Sequence, residues 1–148
     1  LVVLDKIKDP GNLGTIIRTA HGLSWDGIII TPDSVDPYND KALRAAKGST
    51  FFLPIFYRST QQIEELVNEK KFRPYLADLK GKELFSCSFT PPLLLILSSE
   101  SHGVGSWADS IKNRITIPLA KDIDSLNVAI SGGILMYEII KGELIKNG

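Results

Sequence analysis

Net charge is what this sequence lacks first. Lys and Arg together number 17, Asp and Glu also 17, and the formal charge at pH 7 is +0. That excludes a chain basic or acidic over its whole surface, so any nucleic-acid partner needs a local basic patch. Cysteine is almost absent: Cys87 is the only one, which rules out an internal disulfide and leads us to expect a reducing compartment, the cytoplasm. Long hydrophobic runs are missing too. The longest, residues 93–97, falls far short of the roughly 20 residues that cross a bilayer, and no leader-like segment opens the chain, so no membrane partner is expected. His21 and His102 stand far apart without ligand-spaced neighbours, and no metal is expected. "GLSWDG" is not a dinucleotide fingerprint, and "KGST" lacks the upstream glycine and following lysine of a phosphate loop.

What is present suits one folded domain. The 148 residues are 43% hydrophobic and 23% charged, enough for a sizeable core. The chain starts at Leu1 and enters an apolar run at once, which reads as one domain cut from a longer protein. Apolar strands are expected over residues 1–7, 27–31, 51–57, 74–79, 93–97 and 114–119. Pro54 argues for an edge or a bulge in the third. Helices are expected from Asn12 to about Gly22, with Asn12 as N-cap, and over 39–47, 59–71 and 125–141. Leu13, Ile16, Ile17 and Ala20 share the buried face of the first helix, and Ser59 with Gln62 suits a capping box on the third.

Strands therefore alternate with helices, which predicts an α/β fold: a mostly parallel sheet with helices on both faces. In such sheets ligands bind beyond the carboxyl ends of the strands. Three loops rich in small or polar residues fall there, at 9–12, 98–105 and 120–127.

The first loop opens "DPGNLGTIIRTA", with Asn12, Gly14 and Arg18. The second lies in "LILSSESHGV", with Glu100 and Gly103. The third lies in "ITIPLAKDIDSLNVAISGGILMYE", where "IPL" is followed by "SLNVA", and "RAAKGSTFFLP" stands between the first and second. In this order and at these separations the segments resemble the three motifs of the SpoU-like RNA ribose 2′-O-methyltransferases of the SPOUT superfamily, over nearly the whole chain. The resemblance identifies residues 1–148 with the catalytic domain of that family, the usual N-terminal RNA-recognition domain being absent from this chain. Two departures stand in motif two, where Ser98 and Ser101 replace glycines. Serine resists backbone conformations that glycine accepts.

The resemblance implies a C-terminal deep trefoil knot, in which the last segment threads an earlier loop. Such threading is too rare for pattern reading to propose unaided. It implies a pocket between motifs two and three for S-adenosylmethionine, with S-adenosylhomocysteine as product and no metal. Ser98, Gly103, Ile117, Leu119 and Leu126 are the expected cofactor contacts. The implied reaction is methylation of a ribose 2′-hydroxyl in ribosomal or transfer RNA, by a homodimer whose last helix helps form the interface.

Arg18, Asn12, Glu100, Ser125 and Asn127 are the expected catalytic residues. A guanidinium is always protonated and has no free acceptor, so Arg18 suits stabilisation of a developing alkoxide and a grip on phosphate better than proton abstraction. Plainer readings stand beside these. Asn12 and Ser125 are good N-caps, Arg18 reads equally as an exposed helix arginine, and Glu100 suits a helix start. Lys41, Arg44 and Lys47 recur every three residues: a solvated helix face, or a track for RNA phosphates. Two further functions compete. One is an RNA- or cofactor-binding protein that has lost catalysis, motivated by the two serines; the other is an unknotted nucleotide-binding domain with its ligand at the 9–12 turn.

Overall fold

The β-branched and leucine-rich stretches pair into a six-stranded sheet of order β3-β2-β1-β5-β4-β6, and every neighbouring pair is parallel. The computed structural model describes residues 1–69, 71–99 and 104–147. The strands are β1 (Val2–Asp5), β2 (Ile28–Ile30), β3 (Ile55–Tyr57), β4 (Arg73–Glu83), β5 (Leu93–Ser98) and β6 (Arg114–Thr116). Among the described residues four α-helices accompany them: α1 (Pro10–Gly22), α2 (Asp40–Ala46), α3 (Thr60–Asn68) and α4 (Val128–Asn147).

Alternation along the strands builds two cores. Val2, Leu4, Ile28, Ile30, Leu95 and Leu97 face one side, under Leu13, Ile16 and Ile17 of α1, Ala46 of α2, and Leu135 and Met136 of α4. Val3, Ile29, Leu94 and Ile96 face the other, under Ile63 of α3 and the short 3-10 turn Ser106–Ala108. Each of these large apolar side chains contributes about 1.5–3 kcal/mol on burial. Summed over the two cores that far exceeds any single cap, so the sheet rather than helix propensity fixes where the helices lie. Helices thus cover both faces of a parallel sheet, as the alternation predicts.

The boundaries correct several expectations. Asn12 is not the N-cap of α1. Pro10 has no N–H to lose and a φ suited to the first helical position, so the cap moves back to Asp9, whose Oδ1 accepts from the Asn12 N–H at 2.7 Å. That frees the Asn12 side chain. The strand expected over 51–57 shrinks to Ile55–Tyr57, because Ser49–Phe51 turns as a 3-10 helix and Pro54 cannot donate to a ladder. The strand expected over 74–79 runs on to Glu83, but its register against β6 jumps between Ala77 and Lys82, so residues 78–81 form a bulge that leaves the ladder. The strand expected over 114–119 stops at Thr116, two residues before Pro118, and the last helix begins at Val128, not Ser125. The capping box of α3 is present as expected.

Gly14, inside the asparagine-led motif, has a packing reason. A Cβ there would lie 2.2 Å from the Ala42 carbonyl oxygen and 2.9 Å from the Ala46 nitrogen, so its absence lets α1 and α2 touch backbone to backbone. We expect Gly14→Ala to destabilise the fold by about 2 kcal/mol in urea unfolding, the usual cost of overpacking a tight contact. A loss below about 0.5 kcal/mol, the range of an unconstrained surface change, would contradict that packing role.

Candidate active site

All six strands run the same way, so the segments leaving β1, β5 and β6 emerge at one edge of the sheet. The segment after β6 has farthest to go. It leaves from the edge strand, passes the ends of β4 and β5, and reaches α1, where Asn127 meets Asn12. Two adjoining cavities open along its path. The first, of about 450 Å³, lies between the bulge of β4 and the end of β5 on one side and residues 115–126 with the start of α4 on the other. The second, of about 500 Å³, lies between the 7–12 turn and residues 125–128. Ser99, Ser125 and Val128 line both, so the two spaces share a wall.

Asn127 holds the junction. Its Oδ1 accepts from the Ala129 N–H at 2.9 Å and the Ile130 N–H at 3.4 Å, which caps α4. Its Nδ2 donates to Asn12 Oδ1 at 3.0 Å. One amide thus starts the last helix and ties it to the first. Below Asn12, Asp9 is held under the ordinary carboxylate range, chiefly by the N–H of Asn12 and further by Lys41, whose Nζ lies 3.5 Å from Asp9 Oδ2. Beside the first cavity Asp78 is also held low, chiefly by the Lys80 N–H and further by the Arg114 guanidinium with which it pairs. Both aspartates are therefore anionic in neutral solution, one at the rim of each cavity.

The expected site residues divide between these spaces. Asn12, Ser125 and Asn127 come together at the second cavity, and Ser98, Ile117, Leu119 and Leu126 line the first. Glu100 and Gly103 lie outside the described residues, as does Ser101. Arg18 is not brought in: it is exposed on α1, lines neither cavity, and has no partner among the described residues. The basic stripe is uneven. Lys41 pairs with Asp9, Arg44 approaches Asp40 at 4.0 Å, and Lys47 is exposed with no partner among the described residues. Sequence reasoning missed Ser99 and the β4 bulge with Asp78, Leu79 and Lys80, which complete the first cavity. Gly81 was the available signal: a Cβ there would sit 2.5 Å from the Ile115 nitrogen, a close approach that marks an irregular strand.

The first cavity suits a small ligand with both apolar and polar parts. Leu97, Val104, Ile117, Leu119, Leu126 and Leu135 give it apolar walls, Asp124 and Ser131 stand among its polar groups, and its size is ordinary for a small-molecule site. Ser99 Oγ is buried there without a hydrogen-bond partner among the described residues, as expected of an atom whose partner arrives with a ligand. Among the described residues no cluster of three or more His, Cys, Asp or Glu could hold a metal, and no helix is long and apolar enough to cross a membrane.

Comparison with known proteins agrees with this geometry. The sequence model of the SpoU rRNA Methylase family matches residues 1–137. An uncharacterized tRNA/rRNA methyltransferase of Synechocystis is 35% identical over 93% of this chain and 51% of its own length. A 23S rRNA guanosine 2′-O-methyltransferase of Bacillus subtilis is 30% identical over 94% of this chain and 57% of its own length. The chain thus spans little more than half of these relatives. Among solved structures, an AdoMet-bound rRNA methyltransferase of Sinorhizobium meliloti superposes with a TM-score of 0.86 at 32% identity, covering 95% of this chain and 55% of that one. The SpoU methyltransferase AviRb of Streptomyces viridochromogenes gives 0.88 at 29% identity, covering 98% and 60%.

Asn127 can be dissected by two substitutions. Asn127→Ala is expected to lose about 1–2 kcal/mol of stability with the cap, whereas Asn127→Asp keeps an acceptor for the helix N–H groups and stays near wild type. Equal losses in urea unfolding would put the energy in the bond to Asn12 instead.

Proposed function

Because the chain belongs to the SpoU rRNA methylase family, we propose that it carries the catalytic domain of an enzyme that moves a methyl group from S-adenosylmethionine to a ribose 2′-hydroxyl of ribosomal or transfer RNA. The observation that carries this reading is the pair of adjoining cavities with a shared wall at Ser99, Ser125 and Val128. An in-line displacement needs donor and acceptor in separate spaces that meet at one point.

In this reading the first cavity holds the cofactor. Ser98, Ile117, Leu119 and Leu126 supply apolar contact and backbone groups for the adenine, with Gly103 added on the family resemblance alone. When bound, the cofactor supplies a methyl group on a sulfonium whose leaving group is a neutral thioether. The chain then has to align the ribose oxygen, exclude water and help that oxygen lose its proton. Asn12 and Asn127, already bonded to each other, orient the ribose at the second cavity. Ser125 stands where the cavities join. Glu100 enters on resemblance alone.

Arg18 supplies the charge that stabilises a developing alkoxide and grips an adjacent phosphate. Its exposure and its absence from both linings in one chain support a homodimer in which Arg18 of the partner subunit completes the second cavity. A surface for that pairing is available on α4, where Ile130, Ile134 and Tyr137 form an exposed apolar stripe at 55%, 37% and 54%. The course of residues 117–127, from the edge strand past two neighbouring strand ends to α1, supports the deep trefoil knot. Lys41 and Lys47 extend the cationic side of the site toward RNA phosphates, Arg44 more weakly because of Asp40. A cytoplasmic setting agrees with the free thiol of Cys87.

The test is transfer of labelled methyl to RNA together with calorimetry of S-adenosylmethionine binding. Arg18→Ala is expected to slow transfer about 10²–10³-fold, as loss of a preorganised charge stabiliser does, with cofactor affinity unchanged. Cofactor binding by the wild type without any transfer would favour the non-catalytic reading; unchanged turnover in Arg18→Ala would remove the role given to that arginine.

A further inference from the structure

The segment after α2 folds against the usual rule of burial. It buries its hydroxyl residues and exposes its aromatic ones: Ser49 and Thr50 are 6% and 3% exposed, Phe51 and Phe52 are 70% and 74%. The backbone enforces this. Lys47 and Gly48 take consecutive left-handed conformations, at φ 51° and 87°, and turn the chain into the 3-10 helix Ser49–Phe51. The arrangement is then fixed from below, where Ser49 Oγ and His21 Nδ1 lie 3.1 Å apart. Two adjacent phenylalanines held outward are a costly use of surface unless something covers them.

Their neighbours indicate what. The His21 imidazole lies parallel to the Phe52 ring, with centroids 5.7 Å apart and an interplanar angle of 7°. Tyr38, itself 48% exposed, stands beside Phe51 at 6.5 Å. The patch is therefore two aromatic pairs side by side in the chain, one parallel and one tilted at 49°. Positive charge lies nearby in the chain: Lys47 is four residues before Phe51, and Arg18 lies one helical turn before His21 on the same face of α1. Neither cation has an acidic partner among the described residues. Flat aromatic faces beside unpaired cations match unstacked bases on a phosphate backbone, not an apolar protein face.

We propose that Phe51 and Phe52, with His21 and Tyr38, form a stacking platform for unpaired bases of single-stranded RNA beside the modified nucleotide. The proposal rests on the RNA-modifying reading above and deepens it. It assigns this face to unpaired rather than duplex RNA, and it makes Arg18 the link between platform and reaction. The order Arg18, His21, Phe52 runs along α1 and off its end, so a strand whose phosphate meets Arg18 can lay a neighbouring base on Phe52.

The experiment compares binding of labelled single-stranded decauridine and an RNA duplex of equal phosphate count, at one salt concentration, by the full chain and by Phe51→Ala/Phe52→Ala. Both side chains are largely exposed, so the melting temperature should hold. The double substitution is expected to weaken decauridine binding about tenfold or more, while duplex binding and S-adenosylmethionine affinity change less than about twofold. Phe52→Trp on the wild-type background should keep or tighten decauridine binding.

Equal losses on both RNAs, no loss on either, or a wild type that does not bind decauridine would overturn the platform. So would a fall in molecular mass from dimer to monomer, which would assign the face to a second copy of the chain. Wild-type methyl transfer measured alongside separates the two readings. Intact transfer without a single-strand preference defeats the platform alone; no transfer with the preference intact defeats the enzyme reading alone.

Discussion

The Asn127 side chain is the constraint on which the arrangement of this site depends. Its carbonyl oxygen caps α4 and its amide nitrogen donates to Asn12, so one planar group sets both where the last helix starts and how far it stands from the first. Residues 117–126 are suspended between that anchor and the edge strand β6. Because they must cross the ends of β4 and β5 to reach it, they become a wall of both cavities. Glycine matters at the same junction. A Cβ on Gly132 would lie 2.8 Å from Leu97 Cδ1, and its absence lets α4 settle on β5 directly behind the first cavity.

The apolar cores and the candidate site are separated in space. The two apolar cores contain fully buried Leu, Ile and Val in the middle of the sheet. The site residues sit past the strand ends, where Asn12 and Ser125 are half-buried and Asn127 is exposed. Hydrogen bonds there contribute about 1 kcal/mol each, against several for each core side chain, so the scaffold tolerates polar specialisation at its edge. The cost appears, among the described residues, as atoms without a partner: Ser99 Oγ at the shared wall, and Asp5 Oδ1 at the end of β1, whose other oxygen accepts from Trp107 Nε1 at 3.4 Å.

Much of this was legible beforehand because it rests on local periodicity and short motifs. Val2 to Leu4, Ile28 to Ile30 and Leu93 to Leu97 announce buried parallel strands, and Leu13, Ile16 and Ile17 announce the inner face of α1. The three loops could be named because they follow such strands. What escaped depends on competition between neighbours or on distant contacts. Asp9 displaced Asn12 as cap because Pro10 shifts the helix start by geometry that a cap preference alone ignores. The β4 bulge depends on β6, more than thirty residues later. The outward phenylalanines read as an ordinary strand, since Phe51 and Phe52 have high strand propensity and nothing nearby signals that Lys47 and Gly48 turn them to solvent. Arg18 was legible as a motif residue, but a single chain does not carry it to either cavity.

Hydrogen exchange with and without S-adenosylmethionine tests most directly whether the returning segment makes the cofactor pocket. The account predicts slowed exchange over residues 97–99, 117–119 and 124–128, with the 9–12 turn unchanged. Slowing confined to residues 9–12 would contradict it, placing the ligand where an unknotted nucleotide-binding domain would hold one.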